Sequence, residues 1–238
     1  MITFLLGAAA SIAATAAGYQ SMAPTGKWYG DTFSGLRRGS KKLALTFDDG
    51  PSATNTPRLL ETLAKHEVRA TFFLIGLHVQ QYPQIVRELV QAGHVIGNHT
   101  FTHPNLIFAS SRQTRMQIQE CERVLADTVG EHSNLFRPPF GGRRPRSLRI
   151  ARELGLIPVM WNVTAYDWNS NGAEKIQANI AGQVRGGDVI LLHDGSHSSM
   201  TADRSATIVA TERVIQKYKS AGYTFVTIPE MLASAAHA

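Results

Sequence analysis

Cysteine is nearly missing from this chain, with one residue, Cys121, among 238. A single thiol cannot close an internal disulfide, which excludes a disulfide framework and leaves the redox compartment unread. Sequence repeats and low-complexity linkers are missing too, which excludes solenoid and collagen-like architectures. Nor is there a strong charge imbalance. Lys and Arg number 24 against 18 Asp and Glu, a net charge of +6. The basic residues are scattered, with short runs such as Arg37-Arg38 and Lys41-Lys42. That spread gives no nucleic-acid footprint, although the excess permits attraction to acidic glycans or lipid headgroups. What the chain does have is a hydrophobic share of 43%. This is ample for a core and excludes disorder, and the length suits one α/β domain.

Charge is absent altogether from the first 26 residues; Lys27 is the first charged side chain. Ile2 to Ala17 is apolar and Ala-rich, and the charge-free run as a whole is long enough for a membrane segment. Ala14-Thr15-Ala16 has the small-x-small shape of a signal-peptide cleavage site. A buried Ala-rich helix of the domain is the competing reading. No Lys or Arg precedes the run, and Lys27, Arg37, Arg38, Lys41 and Lys42 follow it, which the positive-inside rule would hold in the cytoplasm. The expectation is a signal peptide or membrane anchor over 1–26, a linker over 27–37 and a catalytic-size domain over 38–235. The protein is then membrane-associated or extracytoplasmic, with a cytoplasmic location as the alternative.

From Lys41 onward, short β-branched or aromatic runs alternate with helical patterns. Strands are expected at Leu43–Phe47, Ala70–Ile75, His94–Asn98, Leu135–Arg137, Ile157–Val163, Asp188–His193 and Thr224–Thr227. Pro57 and Pro83 suit first helical turns, and Gly93, Gly130, Gly155 and Gly222 follow helical runs as stops. The longest helix, Ser111–Val129, puts Ile118, Cys121, Leu125 and Val129 on one stripe. Seven strands separated by helices require parallel pairing with both faces covered.

Unusual polar residues fall at the ends of these strands. Asp48-Asp49-Gly50 follows the first strand, and His99 and His103 follow the third. Arg137-Pro138-Pro139 follows the fourth, Asp167-Trp168 the fifth and His193-Asp194 the sixth. In parallel α/β folds the carboxyl ends of the strands form the ligand-binding face, so these clusters are expected to converge. Taken alone, Asp49-Gly50 reads as a turn. Two adjacent carboxylates repel unless a cation or base chemistry occupies the site, and successive residues point differently. His99 and His103 have i, i+4 spacing, which on a helical turn puts both imidazoles on one face. His193 and His197 share that spacing. His193 terminates an apolar strand, however, and His197 reads as a solvated loop residue. Arg137 can hold a carboxylate ionised, and the glycines after Phe140 let backbone N–H groups approach an oxyanion. Asp167 and Trp168 read as a helix cap and a core aromatic as readily as functional groups, and Leu191 reads as core.

In combination, Thr46-Phe47-Asp48-Asp49-Gly50, His99-Thr100-Phe101-Thr102-His103, Arg137-Pro138-Pro139-Phe140-Gly141, Asp167-Trp168 and Leu191-Leu192-His193-Asp194 resemble a known family. It is the polysaccharide deacetylases with a NodB homology domain, carbohydrate esterase family 4. The resemblance spans Leu43 to Thr227 and implies an α/β fold, a deformed (β/α) barrel with about seven parallel strands. It also implies that Asp49, His99 and His103 hold a divalent metal, zinc or cobalt. Asp48 would be the general base and His193 the general acid, with Arg137 orienting Asp48 and Asp167 orienting His193. Trp168 and Leu191 would line the acetyl pocket, and the Phe140 N–H would face the oxyanion. Two positions depart from the family pattern: Phe140 stands where Tyr is frequent, and Thr164 where an Asp is frequent.

The implied activity is removal of N-acetyl groups from N-acetylglucosamine-containing polysaccharide, with peptidoglycan or a chitin-like oligosaccharide as partner. The alternatives are an O-acetyl polysaccharide esterase and a lipid-linked sugar deformylase or deacetylase. An inactive glycan-binding module is the non-enzyme alternative, and it predicts loss of Asp48, His193 or a metal ligand; none is lost.

Overall fold

The computed structural model describes residues 15–169 and 172–236. Eight strands form one parallel sheet. They are β1 (Lys42–Gly50), β2 (Thr71–Leu74), β3 (Val95–Asn98), β4 (Leu135–Phe136), β5 (Ile157–Pro158), β6 (Val163–Thr164), β7 (Asp188–His193) and β8 (Thr224–Phe225). Their spatial order is β5-β4-β3-β2-β1-β7-β6, with β8 paired to the start of β1. The helices are α1 (described over 15–22), α2 (Thr56–Lys65), α3 (Gly76–Gln81), α4 (Pro83–Gln91), α5 (Ser111–Val129), α6 (Pro145–Glu153), α7 (Ala173–Gln183), α8 (Ser205–Ser220) and α9 (Ile228–Ala236).

β1 shows why the sheet is central. Leu43, Leu45 and Phe47 pack on the helical layer, while Ala44 belongs to a second cluster with Phe73, Val189, Leu191 and Trp161 inside the curl. Both faces are apolar, as a parallel sheet covered on both sides requires. α5 starts at a capping box between Ser110 and Gln113, and it buries Ile118, Cys121 and Leu125 as the periodicity predicts.

The expected strand Ile157–Val163 is instead two short strands, which sit at opposite ends of the sheet. The curl is therefore closed by chain crossing from edge to edge, and not by a β5–β6 ladder. Residues 33–36, expected within a linker, tie into this gap. Phe33 N donates to Pro158 O, Met160 N to Phe33 O, and Leu36 N to Gly187 O, at 3.0, 2.7 and 2.7 Å. Backbone groups left open by the incomplete barrel are satisfied this way.

Candidate active site

The end of β1 is bent by a register shift between Asp48 and Gly50 against β2. Asp49 has a φ of 71° at this point. Such a bulge re-aims side chains, so Asp48 and Asp49 both line the same cavity despite strand alternation. The His78 ring meets Asp49 O at 2.9 Å. A Cβ on Gly195 would lie 2.1 Å from Asp49 O, so only glycine permits this approach.

Asp48 is fastened to Arg137, which is fully buried. Nη1 of Arg137 donates to Asp48 Oδ1 at 2.7 Å and to Thr46 Oγ1 at 2.9 Å. Nε and Nη2 donate to the carbonyls of Val159 and Met160 at 3.3 and 3.2 Å. The guanidinium lies 4.1 Å from the centroid of the Phe73 ring. Burial presses the Arg137 pKa down and the Asp48 carboxylate opposes it. The pair thus orients Asp48 with Oδ2 left toward the cavity.

One ligand atom from each of Asp49, His99 and His103 lies within 4.8 Å of the others, and all three residues are buried. His99 and His103 do not ride one helical turn. They are brought together by an irregular loop in which Thr100 and His103 have φ of 66° and 59°. The His99 Nδ1–H meets Arg137 O at 2.7 Å, directing bare Nε2 into the cavity. Burial lowers the His99 pKa to about 4, with Asp48 opposing, so the imidazole is neutral and free to ligate. Asp49 Oδ1 lies 3.5 Å from His99 Nε2 and 3.1 Å from His103 Nε2, yet it is buried with no hydrogen-bond partner among the described residues. Burial disfavours the Asp49 anion, but His103, His197 and His193 outweigh it and hold the carboxyl well below its usual range. An orphaned anionic oxygen facing two imidazole nitrogens fits a divalent cation.

Across the cavity His193 ends β7. Its Nδ1 and backbone N both meet the Asp167 carboxylate at 2.8 Å, and Thr207 Oγ1 donates to the same group at 3.0 Å. Burial alone would lower the His193 pKa; Asp167 overrides it and raises it to about 9. His193 is therefore an imidazolium at neutral pH, held by a buried carboxylate.

The cavity measures about 510 Å³ and includes Asp48, Asp49, His99, His103, Phe140, Trp168, Leu191 and His193 in its lining. Arg137 and Asp167 stand behind it. Phe140 has a φ of 59° in a 3-10 turn, Pro139–Gly141. The next residue, Gly141, leaves no room for a Cβ against Trp161. Five of the six non-glycine residues with positive φ in the described chain are Asp49, Thr100, His103, Phe140 and Tyr166. The sixth is Glu67. Each costs about 1–3 kcal/mol in general, and their clustering marks this rim as shaped by function.

His197 lies in an exposed loop as expected, but it also reaches Asp49 and His103. Its ring stacks on His103 with centroids 4.5 Å apart, and its Nδ1 is 3.5 Å from Asp49 Oδ2. Its backbone N donates to that oxygen at 3.3 Å. The i, i+4 spacing to His193 was the available signal, but the Gly/Ser-rich surroundings masked it. Arg204 and Met22 also line the cavity without having drawn notice in the sequence.

Residues 36–159 match the family model for polysaccharide deacetylase. A peptidoglycan-N-acetylglucosamine deacetylase of Bacillus cereus is 38% identical over 205 residues, covering 85% of this chain and 72% of that protein. A chitooligosaccharide deacetylase of Sinorhizobium fredii is 35% identical over 198 residues, covering 81% and 92%. The crystal structure of a peptidoglycan N-acetylglucosamine deacetylase complexed with a naphthyl-substituted N-oxidanyl-benzamide superposes with a TM-score of 0.78. It has 37% identity and covers 84% of this chain and 91% of that one.

Proposed function

The chain belongs to the polysaccharide deacetylase family, and from that premise we propose that it hydrolyses the N-acetyl amide of N-acetylglucosamine units in a peptidoglycan or chitin-like glycan. The observation that carries this reading is the pair of opposed proton carriers. Asp48 is held by a buried Arg137 on one side of the cavity, and His193 is kept protonated by buried Asp167 on the other.

Asp49, His99 and His103 would hold the metal. Their two imidazole nitrogens and one carboxylate oxygen suit zinc, with cobalt as an alternative. When bound, the cation supplies Lewis acidity, polarising the acetyl carbonyl and lowering the pKa of a water. Asp48 Oδ2 takes the proton of the attacking water. The Phe140 N–H donates to the oxyanion as the carbonyl carbon becomes tetrahedral. Trp168 and Leu191 enclose the acetyl methyl group. His193, its Nδ1 engaged by Asp167, delivers the Nε2 proton to the leaving nitrogen. An amine departs poorly unless protonated, so the imidazolium opposite Asp48 supplies what amide cleavage requires; an O-acetyl ester would use the same apparatus. Acetate and a free amino sugar result.

Acetate release from N-acetylated and O-acetylated oligosaccharides, with and without chelator, tests this. The expected outcome is chelator-sensitive release from the N-acetyl substrate. Undiminished activity after metal removal refutes the metal assignment, and release only from the O-acetyl substrate refutes amide specificity. We place the protein at the membrane or outside the cytoplasm on the strength of its charge-free apolar run. Residues 1–14 of that run lie outside the described residues, and among those described no helix is long and apolar enough to cross a membrane.

A further inference from the structure

Arg143 is as deeply buried as Arg137, but no carboxylate among the described residues pairs with it. Its Nη1 donates to Gly141 O at 3.1 Å, and its Nη2 to the carbonyls of Ala23 and Gly26 at 2.5 and 2.9 Å. Its backbone N donates to Ser21 O at 3.0 Å. Ser21 Oγ and the Tyr29 hydroxyl both donate to Ala17 O, at 3.0 and 2.8 Å. One buried cation therefore joins residues 17–29 to the loop that carries Phe140. Burying a guanidinium is costly unless its donors are used; here Nη1 and Nη2 reach three carbonyls, while Nε has no partner among the described residues. Burial accordingly lowers the Arg143 pKa. Met22, within the fastened segment, lines the same cavity as Phe140, Gly141 and Trp168.

We infer that residues 17–29 form a wall of the substrate site, and that Arg143 is a positioning residue holding this wall and the Phe140 N–H in mutual register. This rests on the deacetylase reading and adds a specificity element to it. The segment lies ahead of residues 36–159, which match the family model. It starts at Ala17, so a cut after Ala14-Thr15-Ala16 would leave it whole.

Phe140 has a left-handed backbone and Gly141 follows it with a φ of 65°. Phe140 is thus held in a conformation that a non-glycine residue does not favour, and Arg143 binds the Gly141 carbonyl directly. Losing that hold displaces an oxyanion donor, an effect on turnover. Met22 touches the bound glycan, an effect on binding.

The test uses the full chain with Arg143→Met, Arg143→Lys, Gly26→Ala and Met22→Ala. The Gly26 substitution attacks the contact from its far side, because a methyl there meets Gln20 Oε1 at 2.3 Å and Arg143 Nη2 at 3.3 Å. Hydrogen exchange over residues 17–29, metal affinity by chelator competition, and kcat and KM on an N-acetylglucosamine oligomer are measured. Arg143→Met and Gly26→Ala are expected to lose exchange protection and about tenfold in kcat with metal affinity retained, while Arg143→Lys recovers part of both. Met22→Ala is expected to raise KM about threefold, far more than it alters kcat. Protection lost with kcat and KM unchanged overturns the wall; protection retained in Arg143→Met overturns the role of Arg143. If Arg143→Met does not fold, Gly26→Ala decides. A wild-type chain that releases no acetate defeats the deacetylase reading, and the exchange result then judges the contact separately.

Discussion

Replacing Asp167 with Asn leaves the shape of the His193 pocket nearly unchanged and removes one buried charge. In the native protein the His193 pKa of about 9 is reached against burial, because Asp167 Oδ1 lies 2.8 Å from Nδ1. Without the carboxylate only burial and weaker distant charges act, so the pKa falls below the ordinary 6.5. At pH 7.5 the imidazolium fraction then drops from about 97% to under about 10%. That is about tenfold from population alone, and with the loss of charge-assisted orientation the expected fall in kcat is about a hundredfold. The alkaline limb of the kcat/KM profile should move from near 9 to below 6.5. An aryl acetate, whose phenolate leaves without a proton, should be hydrolysed with far smaller loss. An unmoved alkaline limb, or equal losses on both substrates, would refute the assignment of His193 as acid. The same linkage has a stability sign. Because folding raises the pKa of His193, the stabilisation is complete below its unfolded value near 6.5 and is lost as pH rises through about 9.

Asp48→Asn should abolish turnover while leaving metal binding largely intact, whereas His99→Ala should lose metal affinity; calorimetric titration of both variants checks this, and reversed phenotypes contradict the roles. Arg137→Met leaves Asp48 buried without its cation and should destabilise the fold by about 3 kcal/mol, read from the denaturation midpoint; no change in stability would mean that Asp48 finds another partner. His197→Ala removes the ring stacked on His103 and facing Asp49, and should weaken metal binding about tenfold; unaltered affinity in chelator competition would return His197 to the solvated loop.

Much of the barrel is readable along the chain because its burial is local in sequence. The run Asp188–His193 is a strand with the expected bounds, and Ser111–Val129 a helix with its expected buried stripe. The failures share one cause, which is backbone geometry imposed by distant contacts. Ile157–Val163 has the composition of a single strand, but the sheet runs out of partners on one side and resumes on the other. His99 and His103 carry helical spacing, but the loop between them bends through positive φ at Thr100. Arg143 and Met22 have no motif to announce them, because their partners come from opposite parts of the chain.

The pairing of Asp167 with His193 was implied by the family resemblance, but sequence alone determined the rest of the chemistry this protein can carry: paired carboxylates and two imidazoles, each at the end of an apolar strand. Those follow from residue type and periodicity, which act over a few positions. Only the tertiary structure decided how the groups face one another. The bulge turns Asp48 and Asp49 into one cavity, the buried Arg137 orients Asp48 while Asp167 holds His193 protonated across it, and His197 and Met22 complete its walls. Distances across the barrel depend on where the sheet closes and where strained loops are held, and neither is written in any short stretch of chain.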